Sequence, residues 1–419
     1  MLAVTLRYPP YTVGGYERLT RDAVDGLRAR GHRVRVLCGR GARLAEGDDL
    51  HPWLEPDLDA AADLWDLHRD GTPRERLLLH YLRPANLTAT RRALRAAPTD
   101  VVLSFNLGLA SLAPPLAARL AGVPHLAYVC DPWVENLWLR EMAGQPDKAG
   151  RRGPLAAAWR ALRRAAGLPP LWCASAFLRA RLLDDGWPAH EVGVLPTGLA
   201  PELDRRARVA ERPTRPATGP LTILCTSMLW EGKGQHVLVE AFGAAVREGL
   251  DAELVLAGAE PAGCAYTDRL RALAGEAGVV DRVRLVGLLE PDALADALLA
   301  ADVFVLPSVW GEPFGLATIE AMAHGVATVV SDSGASPELV GDAGVVVPTG
   351  DAQALARVLL ELGADPERRG RLGETARVRA LGHFGRAAFL DRLEAAVGAA
   401  AARRPLVTDP APWDRELAS

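Results

Sequence analysis

Residues 2–37 read LAVTLRYPPYTVGGYERLTRDAVDGLRARGHRVRVL, and the fold is decided here. The apolar run 2–6 has strand length, prolines and glycines through Gly15 make a loop, 17–30 is apolar at helical spacing, and Gly31 precedes a β-branched run at 34–37. Strand, loop, helix and strand in that order form a βαβ unit, whose strands lie parallel. The pattern recurs with apolar runs at 101–105, 125–129 and 170–173 between Ala-, Leu- and Arg-rich helical segments such as 112–121 and 177–183. It fails between 196 and 220, where prolines, charges and glycines read as a linker, and restarts with short apolar runs at 221–225, 252–257, 283–286, 303–306 and 327–330. The expectation is α/β, with two parallel-sheet domains at 1–200 and 216–384 and a segment at about 385–419 that packs back on the first. Ligands bind such sheets beyond the carboxyl ends of the strands, here in a cleft between the domains. Residues 44–75, rich in Asp and containing tryptophan, show no assignable pattern.

The length of 419 residues and a hydrophobic fraction of 49% supply a core for each domain. With 48 basic against 52 acidic side chains, the net charge of -4 excludes a nucleic-acid footprint. Five cysteines, odd in number and without a C-x-x-C pair, exclude a disulfide framework and a thiolate zinc site, and fit a reducing cytoplasm. No apolar stretch of about 18 residues is present to span a bilayer, and the N-terminus lacks a charged segment followed by a long apolar one, so a cytoplasmic protein is expected. Lys148 and Lys233 are the only lysines against 46 arginines, a usage typical of GC-rich bacterial genomes.

Three loops at strand ends carry the candidate chemistry. In residues 308–320, SVWGEPFGLATIE, a strand-to-helix turn holds Glu312, Phe314, Gly315 and Leu316 and enters the helix that carries Glu320. Gly315 permits close backbone approach, and amides of a first helical turn attract phosphate oxygens. Glu320 is suited to accept from a ribose diol, and Glu312, in the loop, is read as free to face sugar hydroxyls. The second loop, SMLWEGKGQ at 227–235, sets Lys233 between glycines after a strand. In a chain that writes nearly every cation as Arg, that lysine points to a compact charge for a diphosphate. In the third, Gly14 and Gly15 let amides face the other domain's ligand. Plain turns, solvated acids and a surface lysine are the bland alternatives for each.

The E-x-F-G-x4-E pattern, with Glu312 and Glu320 eight positions apart, is followed by AMAHGVATVVS at 321–331. It resembles the donor-site signature of the retaining glycosyltransferases of family 4. That resemblance implies the GT-B fold, two Rossmann-like domains facing an interdomain cleft. The donor is then a nucleotide diphosphate sugar, most commonly with UDP, held by the C-terminal domain without a metal ion or other cofactor. Residues around Lys233 are similar to the family's G-R-L-x-x-x-K-G, with Met228 in place of its arginine, and Leu288 falls near the nucleotide base. The segment YVCDPWVE at 128–135 occupies the place of the family's His-Asp, with Cys130 replacing the histidine. Asp131 is left to bind the acceptor's hydroxyls or amines, with Trp133 as an aromatic face or a core side chain.

The expected acceptor is a small molecule, glycan or lipid of bacterial secondary metabolism or envelope synthesis. Trp53, Trp65, Trp133 and Trp138 beside Asp48, Asp49, Asp57, Asp59, Asp63, Asp66, Asp131 and Glu135 favour a sugar or aminocyclitol over a phosphorylated compound. Rival readings are a non-catalytic nucleotide-sugar-binding protein and a glycoside phosphorylase or nucleotide-sugar epimerase on the same architecture. Asp57-Leu58-Asp59 is formally a D-x-D metal motif but lies in an acid-rich insertion, and it is read as a solvated face. Residues 151–164, RRGPLAAAWRALRR, form a basic, partly amphipathic helix of the kind that lies on protein surfaces or touches anionic membranes weakly.

Overall fold

A computed structural model describes residues 1–10, 15–40, 49–55, 83–108, 110–131, 133, 154–168, 170–210, 219–261 and 264–404. The described parts of Met1–Thr197 and Phe389–Ser419 form one unit, and Gly198–Ala388 form another.

The N-terminal unit is built on seven strands: β1 (Leu2–Val4), β2 (Arg35–Gly39), β3 (Leu50–Leu54), β4 (Val102–Ser104), β5 (His125–Val129), β6 (Leu171–Cys173) and β7 (Val192–Val194). They run parallel in the order β3-β2-β1-β4-β5-β6-β7. The inner strands are buried on both faces, as a sheet covered by helices requires. The helix Gly15–Ala29 buries Leu19, Ala23 and Leu27, four residues apart, and Gly31 at φ +89° follows its end. Leu390, Leu393 and Val397 of the helix Arg386–Ala401 pack in the same core. At Gly26 a Cβ would lie 2.5 Å from Leu390 Cδ2, so the glycine sets how closely that helix approaches.

Strand β3 lies in the segment whose sequence shows no pattern, and its Pro52 is tolerated because β3 is an edge strand. Residues 44–48 and 56–75, including the D-x-D motif, Trp65 and most of the acids offered for the acceptor, lie outside the described residues. The basic segment contains the helix Pro154–Ala166. Its Arg163 is fully buried, with the guanidinium 4.3 Å above the Trp187 ring and 3.4 Å from Asp185, and Arg164 pairs with Glu191 at 3.2 Å. Two cations of the segment, read as a solvated surface helix or a weak membrane contact, are therefore paired within the unit.

The C-terminal sheet has six parallel strands, β8 (Leu221–Thr226), β9 (Ala252–Ala257), β10 (Val283–Gly287), β11 (Val303–Leu306), β12 (Ala327–Ser331) and β13 (Val345–Val347), in the order β10-β9-β8-β11-β12-β13. The expected linker 196–220 needs correction, because it contains the helix Pro201–Val209. That helix buries Leu203 and Ala207, four residues apart, and ion pairs flank this face: Arg206 reaches Asp292 at 3.2 Å and also Asp296 on the helix Pro291–Ala300, and Arg208 reaches Asp204 at 2.8 Å. Among the described residues no helix is long and apolar enough to cross a membrane.

Candidate functional site

The winding of the C-terminal sheet reverses between neighbours β8 and β11, so the loops leaving their carboxyl ends start side by side. The loop after β8 turns through Glu231–Lys233 into Gly234 at φ +70°, where a Cβ would stand 2.0 Å from the Pro307 carbonyl oxygen. Only glycine lets these two loops meet. The Gly232 carbonyl then accepts from the amides of Val309 (2.9 Å) and Trp310 (3.2 Å). At the end of β12, Ser331 Oγ donates to the Ser308 carbonyl at 2.6 Å, and from the loop after it Ser333 Oγ donates to the Trp310 carbonyl and the Ala335 amide to the Glu312 carbonyl at 2.8 Å. Gly334, at φ +64°, would bring a Cβ to 2.2 Å from the Glu312 amide nitrogen.

This frame holds Glu312, which is 2% exposed. Its Oε1 accepts from Lys233 Nζ at 2.5 Å, Ser308 Oγ at 2.6 Å and Trp310 Nε1 at 3.0 Å. Lys233 Nζ also lies 5.2 Å from the centre of the Trp310 ring, which meets Trp230 edge-on at 5.4 Å. The reading of Glu312 as a loop acid free to face a ligand is corrected: the carboxylate is buried and one oxygen is committed to the lysine. Such a pair survives burial because its charges are matched and hydrogen-bonded. Among the described residues Oε2 accepts no hydrogen bond.

Gly315 takes φ +102° and starts the helix Leu316–Ala323 without a side-chain cap. Thr318 Oγ1, buried in the first turn, has no partner among the described residues. Glu320 is half-buried in that helix, and Leu316 is also half-buried. Phe314, expected at the donor, is instead a core side chain, 4% exposed and edge-on to Phe384 at 5.9 Å. Leu288 follows β10 with 60% exposure, and Met228 is 40% exposed.

In the N-terminal unit the switch falls between β1 and β4. Gly14 lies outside the described residues, while Gly15 opens a helix whose Tyr16 donates to the Tyr128 carbonyl at 2.7 Å. Asp131, just beyond β5, accepts from Asn106 Nδ2 at 3.0 Å and from the Trp133 amide at 3.2 Å. The Gly108 amide donates to Asn106 Oδ1 at 2.9 Å, which fixes the amide's orientation. Burial, reinforced by the charge of Glu17, pushes the Asp131 carboxyl from 3.8 up to about 6 despite the Trp133 amide. Cys130 is held protonated, its thiol pushed well up by burial and then by Asp131, so it supplies no nucleophile. Trp133 packs against two apolar clusters, which favours its core role. Among the described residues no group of three or more metal-ligating side chains occurs.

Residues 14–198 match the model of the glycosyl transferase 4-like domain, and residues 208–379 that of the glycosyl transferases group 1. The chain belongs to the family 4 glycosyltransferases. It is 32% identical over 222 residues to a GDP-mannose-dependent alpha-(1-6)-phosphatidylinositol monomannoside mannosyltransferase of Mycobacterium tuberculosis, covering 48% of this chain and 54% of that protein. With the amylovoran biosynthesis glycosyltransferase AmsK of Erwinia amylovora it shares 33% over 193 residues, 43% of this chain and 44% of that one. The chain spans about half the length of the curated relatives it matches. Among solved structures, a glycosyltransferase from Rickettsia africae superimposes with a TM-score of 0.70 at 15% identity, over 95% of this chain and 98% of that one. Anabaena HepE in complex with UDP and glucose gives 0.66 at 18% identity, over 95% and 98%. These likenesses extend the two Rossmann-like, parallel-sheet units of this family 4 chain to the GT-B class.

Ser308, Trp310, Ser331, Ser333, Gly334 and Asn106 join the two sites without having been assigned roles from the sequence. The signal was faint: small polar residues directly after strand-length apolar runs.

Proposed function

We propose that the chain transfers the sugar of a nucleotide diphosphate sugar to a hydroxyl of an acceptor, with retention of configuration and without a metal ion. The observation that carries this reading is Lys233, the one lysine in its half of the chain, tethered at 2.5 Å to buried Glu312 where the loops after β8 and β11 meet. An ammonium has three protons. One goes to Glu312 and two remain for the departing diphosphate, whose charge is the main obstacle in the reaction. A preorganised donor of this kind is worth roughly 3 to 4 kcal/mol. Amides of the turn at Gly315 and Leu316, with the helix dipole behind them, add to it. Glu312 Oε2 takes a hydroxyl of the donor sugar, Glu320 the ribose hydroxyls, and Leu288 lies by the base. With no nucleophile assigned, the leaving phosphate takes the acceptor's proton on the face it departs from.

The acceptor belongs to the N-terminal unit, with Asp131 as its contact, and is a glycan or lipid-linked sugar. The names of the relatives support that class, and the GDP-mannose dependence in the name of the mycobacterial one sets guanine beside the uracil expected from the family. Free, buried thiols at Cys38, Cys173 and Cys225 support a cytoplasmic setting. Thermal shifts with UDP, GDP, ADP and dTDP identify the base, since a ligand at 100 times its Kd adds about 2.7 kcal/mol. No shift with any of them contradicts a donor site. Release of nucleoside diphosphate only on addition of an acceptor separates transfer from epimerisation and from mere binding. A requirement for orthophosphate marks a phosphorylase.

A further inference from the structure

The tether between Lys233 and Glu312 poses a problem that the surrounding side chains answer. When a diphosphate draws the ammonium toward itself, a carboxylate 2% exposed loses part of its counter-charge. An ionised buried group left short of donors is costly, and that cost would be subtracted from donor affinity. Two other donors already aim at the same oxygen, Ser308 Oγ at 2.6 Å and Trp310 Nε1 at 3.0 Å. Both come from a backbone stretch pinned on two sides, by the Gly232 carbonyl to the amides of Val309 and Trp310, and by Ser331 and Ser333 to the carbonyls of Ser308 and Trp310. Neither donor depends on where Lys233 points.

We infer that Ser308 and Trp310 are positioning residues that keep Glu312 satisfied as an anion, so that Lys233 is shared with the donor's diphosphate rather than locked to the carboxylate. The inference rests on the proposed donor site. It requires that loss of either donor weaken the grip on a diphosphate and leave the contacts to base and ribose alone. Trp310→Phe keeps an aromatic face for the ammonium and removes the indole N–H together with part of the ring. Ser308→Ala removes only the hydroxyl.

Calorimetric titration of wild type, both variants and each variant combined with Lys233→Ala, using UDP, GDP, UMP and GMP, tests this. The expected result is about a tenfold loss of diphosphate affinity in each variant, the size of one hydrogen bond to a charged group. Monophosphate affinity should stay within about twofold, and the diphosphate loss should vanish when Lys233 is absent, since coupled residues are not additive. Equal losses for mono- and diphosphate, an undiminished loss without Lys233, or no loss in either variant would overturn the inference while the donor site stood. A wild-type protein that binds none of the four nucleotides would instead remove the donor site, and the inference with it. Should Trp310→Phe fail to fold, Ser308→Ala decides the matter, because Ser308 and alanine differ by one hydroxyl.

Discussion

At the switch point of the C-terminal sheet, loops after three strands are bolted to one another around one charged pair, with glycines where no side chain fits. At the switch point of the N-terminal sheet, the described contacts are neutral donors on one acid: Asn106 and the Trp133 amide on Asp131, with the Gly108 amide on Asn106, beside Tyr16 on the Tyr128 carbonyl and a helix that begins at Gly15. The topology is alike and the construction is not. A diphosphate always presents the same oxygens to the protein, so a rigid cation repays the strain of building it. An acceptor differs from enzyme to enzyme, and Asp131 is held by two hydrogen bonds, from the Asn106 side chain and the Trp133 amide, rather than by an ion pair. The proposed placing of donor chemistry on the C-terminal unit and acceptor chemistry on the N-terminal unit fits that contrast.

Glycine substitution should break the contrast most severely. Gly334→Ala forces a Cβ against the Glu312 backbone at a positive φ and should cost about 3 kcal/mol or more in chemical denaturation. Gly122→Ala in the N-terminal unit has a similar φ of +69° but nothing within 4 Å. It should cost about 1 to 2 kcal/mol, the conformational term alone. Equal costs would show that the close packing around Glu312 carries no special strain. A smaller effect, about tenfold, is expected for Glu320→Gln on nucleotide affinity, because a neutral amide accepts less strongly than a carboxylate. Glu312→Gln should instead depress turnover more than nucleotide affinity. Parallel losses of affinity in the two variants would end the division of roles.

A further expected effect is on the acceptor side and depends on pH. Asp131 binds its proton more tightly when folded, with a value of about 6 against 3.8. Its stabilising contribution is therefore complete below about pH 4 and is lost as the pH rises through 6. The thermal midpoint of wild type relative to Asp131→Asn should fall as the pH rises from about 4, most steeply near 5, midway between the two values, and level off above about 6. A flat difference would mean that the carboxyl is better solvated than its surroundings imply.

The parallel-sheet plan was legible because buried strands such as 303–306 and 327–330 are continuous apolar runs flanked by turn residues. Strands β7 and β13 escaped because three residues at a sheet edge make no period, and β3 because its proline argues against a strand. The helix Pro201–Val209 escaped because its buried face is only Leu203 and Ala207, set among charged residues in a proline-flanked stretch. At the site, Lys233 and Glu312 were readable as residue types but not as partners. They are 79 positions apart, and only the adjacency of β8 and β11 brings them to 2.5 Å. Phe314 was misplaced for a related reason: its neighbour Phe384 lies 70 positions further on, beyond any local pattern.

The central claim is that Lys233 stabilises the departing diphosphate. Its most direct test compares acceptor-dependent release of nucleoside diphosphate by wild type and by Lys233→Ala under saturating donor, with folding of the variant checked by its thermal midpoint. The account predicts turnover lower by about 10²- to 10³-fold in a folded variant. Wild-type turnover by folded Lys233→Ala would contradict it.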